Sequence, residues 1–177
     1  MKKPKNYINN KTLYTAMIEH KTKLEESERL HKPKPQIATY IGQAIILINE
    51  NLAKRPNFSG YSYIDEMKSD GELDCIAAVD NFNPNKTNNP FGYFTQIAWN
   101  AFIRRITKEH KHTYIKHKNF ENSFLMNMLW SDAENIHLNS NEYSSEIIKS
   151  FEDKLTKAKK PSKVTGVELF QGDETDE

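Results

Sequence analysis

The densest run of chemically capable residues lies at positions 91–120. Seven aromatic rings (Phe91, Tyr93, Phe94, Trp99, Phe102, Tyr114, Phe120) interleave there with six cations (Arg104, Arg105, Lys108, Lys111, Lys116, Lys118) and three histidines (His110, His112, His117). Glu109 is the only acid within the basic part. This mixture suits a nucleic-acid surface. Cations neutralise phosphates and release counterions, and exposed rings stack on unpaired bases at about 1–3 kcal/mol per base. Part of the run has a plainer reading. Phe94, Ala98, Ala101, Phe102 and Ile106 recur at helical spacing and are taken as the core face of an amphipathic helix. That reading leaves the cations after Ile103 unexplained, and these are taken as nucleic-acid contacts rather than a solvated face.

Other chemistries find less support. The three histidines lack the paired helical spacing of a metal site, there is no second cysteine, and the flanking lysines repel a cation, so neither metal nor cofactor is expected. No phosphate-cradling glycine loop and no Gly-x-Ser-x-Gly elbow occurs, and the Asp65/Glu66 pair reads as solvated surface, so no enzyme is expected. The C-terminus is a second candidate. Val167, Leu169 and Phe170 precede Asp173, Glu174, Asp176 and Glu177. Such a tail can insert its apolar residues into a pocket while its acids meet a basic rim. The alternative is a frayed, solubilising end.

Bulk properties set the frame. The 177 residues carry a net charge of +1, 37% hydrophobic residues and a mean hydropathy of −0.80, which predicts one modest core with some poorly ordered chain. The middle is basic and the end acidic, an asymmetry pointing to two partners. Cys75, the only cysteine, cannot form an internal disulfide and reads as a buried thiol among Leu73, Ile76 and Val79. The longest apolar run, residues 44–48, is far too short to cross a membrane, and no apolar stretch follows Met1-Lys2-Lys3-Pro4-Lys5. A soluble intracellular protein without a membrane partner is expected.

Helices must position these groups. The spacing of Leu13, Met17, Ile18 and Leu24 predicts a first helix over 9–30, capped by Asn10 or Thr12 and broken by Lys32-Pro33-Lys34-Pro35. Ile41, Ala44, Ile45, Ile48 and Leu52, with Leu47 widening the face, predict a second over 37–54. A third is predicted over 63–82 on Ile64, Met67, Leu73, Ile76, Ala77 and Val79, with Gly71 marking a bend or a close contact. A fourth starts near Pro90 and runs through Ile106 or beyond. The pattern weakens after Asn119, where Phe124, Leu125, Met128, Leu129 and Trp130 make one patch and residues 147–155 a short helix. No strand pairs are evident, so the fold class is all-α.

Residues 66–82, Glu66-Met67-Lys68-Ser69-Asp70-Gly71-Glu72-Leu73-Asp74-Cys75-Ile76-Ala77-Ala78-Val79-Asp80-Asn81-Phe82, resemble the core-binding helix of bacterial sigma factors. Residues 90–106, from Pro90-Phe91-Gly92-Tyr93-Phe94 through Ala101-Phe102-Ile103-Arg104-Arg105-Ile106, look like the following helix, which opens promoter DNA and reads the upstream box. Tyr7-Ile8-Asn9-Asn10-Lys11, Leu52-Ala53-Lys54-Arg55-Pro56-Asn57-Phe58-Ser59-Gly60-Tyr61 and the apolar-acidic end are closer to the late-transcription sigma factors of large tailed bacteriophages. The resemblance covers most of residues 7–118 and then the tail.

The resemblance implies a non-enzymatic specificity subunit in the cytoplasm of an infected bacterial host. It implies that Glu66, Ser69, Asp70 and Asp74 dock on the clamp helices of the core RNA polymerase. By the same resemblance Tyr93 is expected to stack on a flipped base of AT-rich promoter DNA, and Asn100, Ile103 and Arg104 to face the upstream box. Trp99, Arg105, Lys108 and Lys111 complete the DNA-facing set. Val167, Leu169, Phe170, Asp173 and Glu174 engage the DNA sliding clamp, with a phage co-activator as a further partner. One departure stands out: Gln96 and Ile97 occupy the place of a tryptophan pair that wedges into the duplex, so strand opening is weaker or falls to other residues. The implied division is an N-terminal helix and linker (1–36), a sigma-type domain (37–120), a weakly structured helical segment with a basic linker (121–163) and a flexible docking tail (164–177). A stand-alone helical DNA-binding regulator and a polymerase adaptor that touches no DNA are the alternatives.

Overall fold

The computed structural model describes residues 7–130 and 142–158. The fold is all-α, with α1 (Asn10–Arg29), α2 (Thr39–Ala53), α3 (Ile64–Ala78), α4 (Pro90–Trp130) and α5 (Glu142–Ala158). The chain forms two units, Met1–Thr107 and Lys108–Glu177.

In the first unit, α1 is capped by Asn9 rather than by Asn10 or Thr12. Asn9 takes an extended backbone, and its Oδ1 accepts the amides of Lys11 (3.0 Å) and Thr12 (3.4 Å). Asn10 is used differently: its Oδ1 accepts the Phe91 amide at 3.1 Å and ties α1 to the start of α4. Leu13, Met17 and Leu24 are buried as the spacing predicts, but Ile18 is exposed and His20 is buried in the same face. The helix closes with His31 at φ 51° and a bond from Lys32 N to Ser27 O of 2.9 Å, an ending usually made with glycine.

His20 explains how α1 is held. Its Nε2 lies 2.9 Å from Asp80 Oδ1, in the turn after α3. Lys34, in the proline-bounded linker, pairs with the other carboxylate oxygen, and Lys21 Nζ donates to the Asp80 carbonyl at 3.4 Å. Burial opposes the Asp80 charge, yet the bonds from Lys34 and His20 outweigh it and hold the carboxyl below its usual value.

In α2, Ile41, Ala44, Ile45, Ile48 and Leu52 are buried, whereas Leu47 is exposed and does not widen the face. α3 departs further from expectation. It ends at Ala78, and its inner face is Met67, Gly71 and Cys75, followed by buried Val79 in the turn. Leu73 and Ile76, expected in the core, are 68% and 46% exposed. Gly71 is a contact and not a bend. A Cβ there would stand 2.1 Å from Asn49 Oδ1 of α2 and 3.1 Å from a ring carbon of Phe102 of α4. Asn49 is itself fully buried. Its Nδ2 donates to the Ile45 carbonyl at 2.9 Å, while its Oδ1 has no hydrogen-bond partner and faces Gly71.

α4 begins at Pro90, where a missing amide costs nothing, and Asn89 Oδ1 accepts the Gly92 amide at 3.0 Å. Its first turns run antiparallel to α3: Tyr93 meets Ala78, Cys75 meets the Phe94 carbonyl, and Arg105 meets Asp70. Phe94, Ala98, Ala101 and Phe102 are fully buried. Phe58, from the loop between α2 and α3, plugs the same core edge-on to Phe102 and Trp99 at 5.1 and 4.8 Å. Burying Phe58, Phe82, Phe94 and Phe102 contributes about 1.5–3 kcal/mol each before entropy is counted. Burial pushes the Cys75 thiol up to about 12, so it stays protonated at neutral pH.

In the second unit, α4 continues beyond the predicted weakening at Asn119, and α5 is longer than the expected 147–155 helix. Their seam is made of rings and polar groups. Tyr114 stacks on Phe151 at 4.6 Å and its hydroxyl donates to Glu152 at 3.1 Å, and His117 Nδ1 lies 2.9 Å from Ser144 Oγ. Leu125 is exposed, while the side chains of Phe124, Met128, Leu129 and Trp130 and the whole of 159–177 lie outside the described residues.

Two expectations follow. Gly71→Ala should destabilise the protein by about 1–3 kcal/mol by overpacking. Gly42→Ala, at a helical site with nothing within 4 Å, should stabilise it by about 0.5–1 kcal/mol; chemical denaturation of both variants checks the contrast. For Asp80, the folded carboxyl ionises at lower pH than the unfolded one. Its contribution is therefore complete above about pH 4 and is lost as pH falls through the depressed value. Thermal melts should show Asp80→Asn less stable than the parent at neutral pH, with the gap narrowing in acid.

Candidate protein and nucleic-acid interface

α3 turns its unburied side into a continuous stripe. Glu66, Ser69, Leu73 and Ile76 follow one another at spacings of three, four and three, which places them on one helix face, and all four are exposed. Ser69 keeps its hydroxyl on the helix by donating to the Asp65 carbonyl at 3.0 Å. The stripe is half polar and half apolar, and its apolar members gain nothing from the first unit's own core. Two acids expected beside it are used elsewhere. Asp70 accepts both Nε (2.7 Å) and an Nη (2.9 Å) of Arg105, a two-pronged pair. Asp74, one turn on, pairs with Arg104.

These pairs join residues that the sequence assigns to different surfaces. Arg105 has only 18% of its side chain exposed and acts as a strut between α4 and α3. Arg104 keeps 63% exposed and retains access to solvent beyond Asp74. Asn100 and Ile103 are exposed on the same helix, with Gln96 Nε2 donating to Asn100 Oδ1 at 3.0 Å. Gln96, Asn100 and Ile103 again stand at spacings of four and three, forming a second short stripe.

The two expected aromatic contacts are partly engaged in packing. Tyr93 donates its hydroxyl to the Ala78 carbonyl at 3.1 Å, and its ring lies edge-on to Phe82 and Phe94 at 5.3 and 5.2 Å. Burial raises its phenol above the ordinary value. Trp99 is half-buried against Phe58. Any base that stacks on either ring has only the uncovered portion to use.

Lys108 and Lys111 belong to the second unit and are exposed there, as are His110, His112 and Lys116. Lys118 is drawn toward Glu121 and Glu152, at 3.8 Å from each. Tyr114 and His117, expected in the nucleic-acid run, instead form the seam with α5. Among the described residues no group of three or more histidine, cysteine, aspartate or glutamate side chains could hold a metal ion. No described helix is long and apolar enough to cross a membrane. The tail residues Val167, Leu169, Phe170, Asp173 and Glu174 lie outside the described residues. Sequence reasoning missed His20, Asn49 and Phe58. Their polar or loop context concealed them, and only the tie of Phe58 to a Pro-Asn-Phe-Ser-Gly turn hinted at an inserted ring.

No family model matches this chain, and neither does any curated protein.

The two α3–α4 ion pairs should differ in strength. A double-mutant cycle on Asp70 and Arg105 should give a coupling of about 1 kcal/mol or more, since the pair is bidentate and partly shielded. The cycle on exposed Asp74 and Arg104 should give only a few tenths of a kcal/mol, about what surface pairs contribute.

Proposed function

We propose that the protein is a sigma-like specificity factor, which binds the core of a bacterial RNA polymerase and directs it to AT-rich promoters. The observation that carries this reading is the exposed Glu66–Ser69–Leu73–Ile76 stripe on α3. Two large aliphatic side chains left in water on a helix whose opposite face is fully packed are suited to a protein partner. They fall within the segment that resembles the polymerase-docking helix of sigma factors. The exposed Asn100 and Ile103, with the accessible Arg104, support a DNA-facing role for the first turns of α4. Arg105 and Asp70 then serve as positioning residues, holding the two surfaces in fixed register. In this reading the exposed cations Lys108 and Lys111 contribute phosphate contacts, and the tail from Val167 couples the factor to a sliding clamp with the phage co-activator as a further partner.

The polymerase adaptor without DNA contact is the second reading, and the engagement of both arginines by acids is what favours it. The two readings separate in one assay. Purified protein with bacterial core polymerase should form a stable complex and initiate at a TATA-like promoter on supercoiled or pre-melted template. Leu73→Asp with Ile76→Asp should abolish complex formation while leaving the helical circular-dichroism signal intact. Asn100→Ala with Arg104→Glu should spare the complex and reduce initiation by at least ten-fold. Loss of no initiation in that variant favours the adaptor, and absence of any complex with the parent protein rejects both readings.

A further inference from the structure

The second unit exposes more apolar surface than a pair of helices can use. Among its described residues only Ser144 and Ile148 are buried, while Ile115, Phe120, Leu125, Tyr143 and Leu155 are exposed. The two described helices do not close a core by themselves, and leave apolar surface for a further segment to cover. Between α4 and α5 lies an open groove of about 370 Å³. Tyr143, Ile147 and Phe151 line it, as do His110 and Lys154. Glu146 also lines it, so the groove is not uniformly basic.

We infer that the chain's own C-terminal segment docks in this groove, Leu169 and Phe170 entering beside Ile147 and Phe151 while the following acids face Lys154. Three observations select this occupant. The first is reach. Eight residues, 159–166, separate α5 from Val167. Extended, they span roughly 26 Å, while α5 is itself roughly 26 Å long, so Val167 can return to any point along that helix. The second is chemistry. The segment offers Val167, Leu169 and Phe170 for an apolar floor, then Asp173, Glu174, Asp176 and Glu177 within five residues. Lys154, which lines the groove, and Lys157, one turn on, are the cations of α5 available to them, beside the helix's own Glu152 and Asp153. The third is the tether. A short linker gives an effective concentration in the millimolar range, so a contact too weak to form between molecules closes within one chain.

The contact does not depend on the proposed function. Where that function holds, it gives the tail two exclusive states, one on α5 and one on the partner that the tail serves. A partner must then displace Leu169 and Phe170 before it can bind them.

The test uses the full chain labelled with a nitroxide at Gly172→Cys. Cys75 is buried, and its thiol is held protonated, so the new cysteine takes the label. In the isotope-labelled protein, α5 amides from Tyr143 to Lys154 should broaden. Adding Leu169→Ala and Phe170→Ala should remove the broadening, and Lys154→Glu should reduce it at least three-fold. Hydrogen exchange of α5 amides should speed up several-fold in the double alanine variant. Unchanged α5 amides with and without the alanine substitutions would overturn the inference. So would broadening seen only when labelled chains are mixed with separate isotope-enriched chains, which assigns the groove to the tail of a second copy. Broadening that survives the double alanine change overturns it as well, because the acids alone would then hold the tail. Polymerase binding is read separately, so its failure leaves this result standing.

Discussion

At Gly71 the backbone of α3 lies so close to α2 and α4 that a methyl group would collide with Asn49 and crowd Phe102. Much of the first unit follows from that approach. It brings α2, α3 and the start of α4 together at one point, with Phe102 and Phe58 stacked edge-on just behind it. It also sets rotation. With Met67, Gly71 and Cys75 turned inward, Asp70 and Asp74 must lie on the flank that meets Arg105 and Arg104, and Glu66, Ser69, Leu73 and Ile76 must face outward. One residue without a side chain thus decides which groups are core, which are struts and which stay in solvent. The same approach leaves the buried Asn49 side chain facing the Gly71 backbone.

Charge in this protein is used twice. The acids of α3 and the arginines of α4 look in sequence like two opposed surfaces, one for protein and one for nucleic acid. In the fold, four of them pair with each other. The pairs differ in character, since Arg105 is shielded and Arg104 is mostly in water, and a surface ion pair contributes little to stability. Arg104 can therefore leave Asp74 at small cost, while Arg105 cannot leave Asp70 without loosening α3 from α4. The His20–Asp80–Lys34 cluster plays a comparable part for α1, fastening a helix whose own apolar stripe is narrow.

The second unit is built on a different principle. Its described seam includes a stacked Tyr114–Phe151 pair and a His117–Ser144 contact beside the buried Ile148. Helix continues to Trp130, past the point where the sequence pattern fades at Asn119. Among its described residues only Ser144 and Ile148 are buried, and Ile115, Phe120, Leu125, Tyr143 and Leu155 are exposed.

The sequence by itself determined the helical class, the breaks at Pro33 and Pro35, the start at Pro90 and the buried rows of α2 and of α4 up to Phe102. These follow from local rules: the period of apolar residues, the missing amide of proline and the cost of leaving rows of aliphatic carbon in water. What it could not determine was anything set by a neighbour distant in the chain. Leu73 and Ile76 belong outside and Gly71 inside because Asn49 and Phe102 occupy the space, and no periodicity within α3 reports that. Asp70 and Arg105, 35 residues apart, pair only because α4 returns antiparallel along α3. The recruitment of Asn10 to the Phe91 amide was likewise decided by where α4 begins in space. Residue types limited what each group could do; the tertiary contacts chose which of those options each one took.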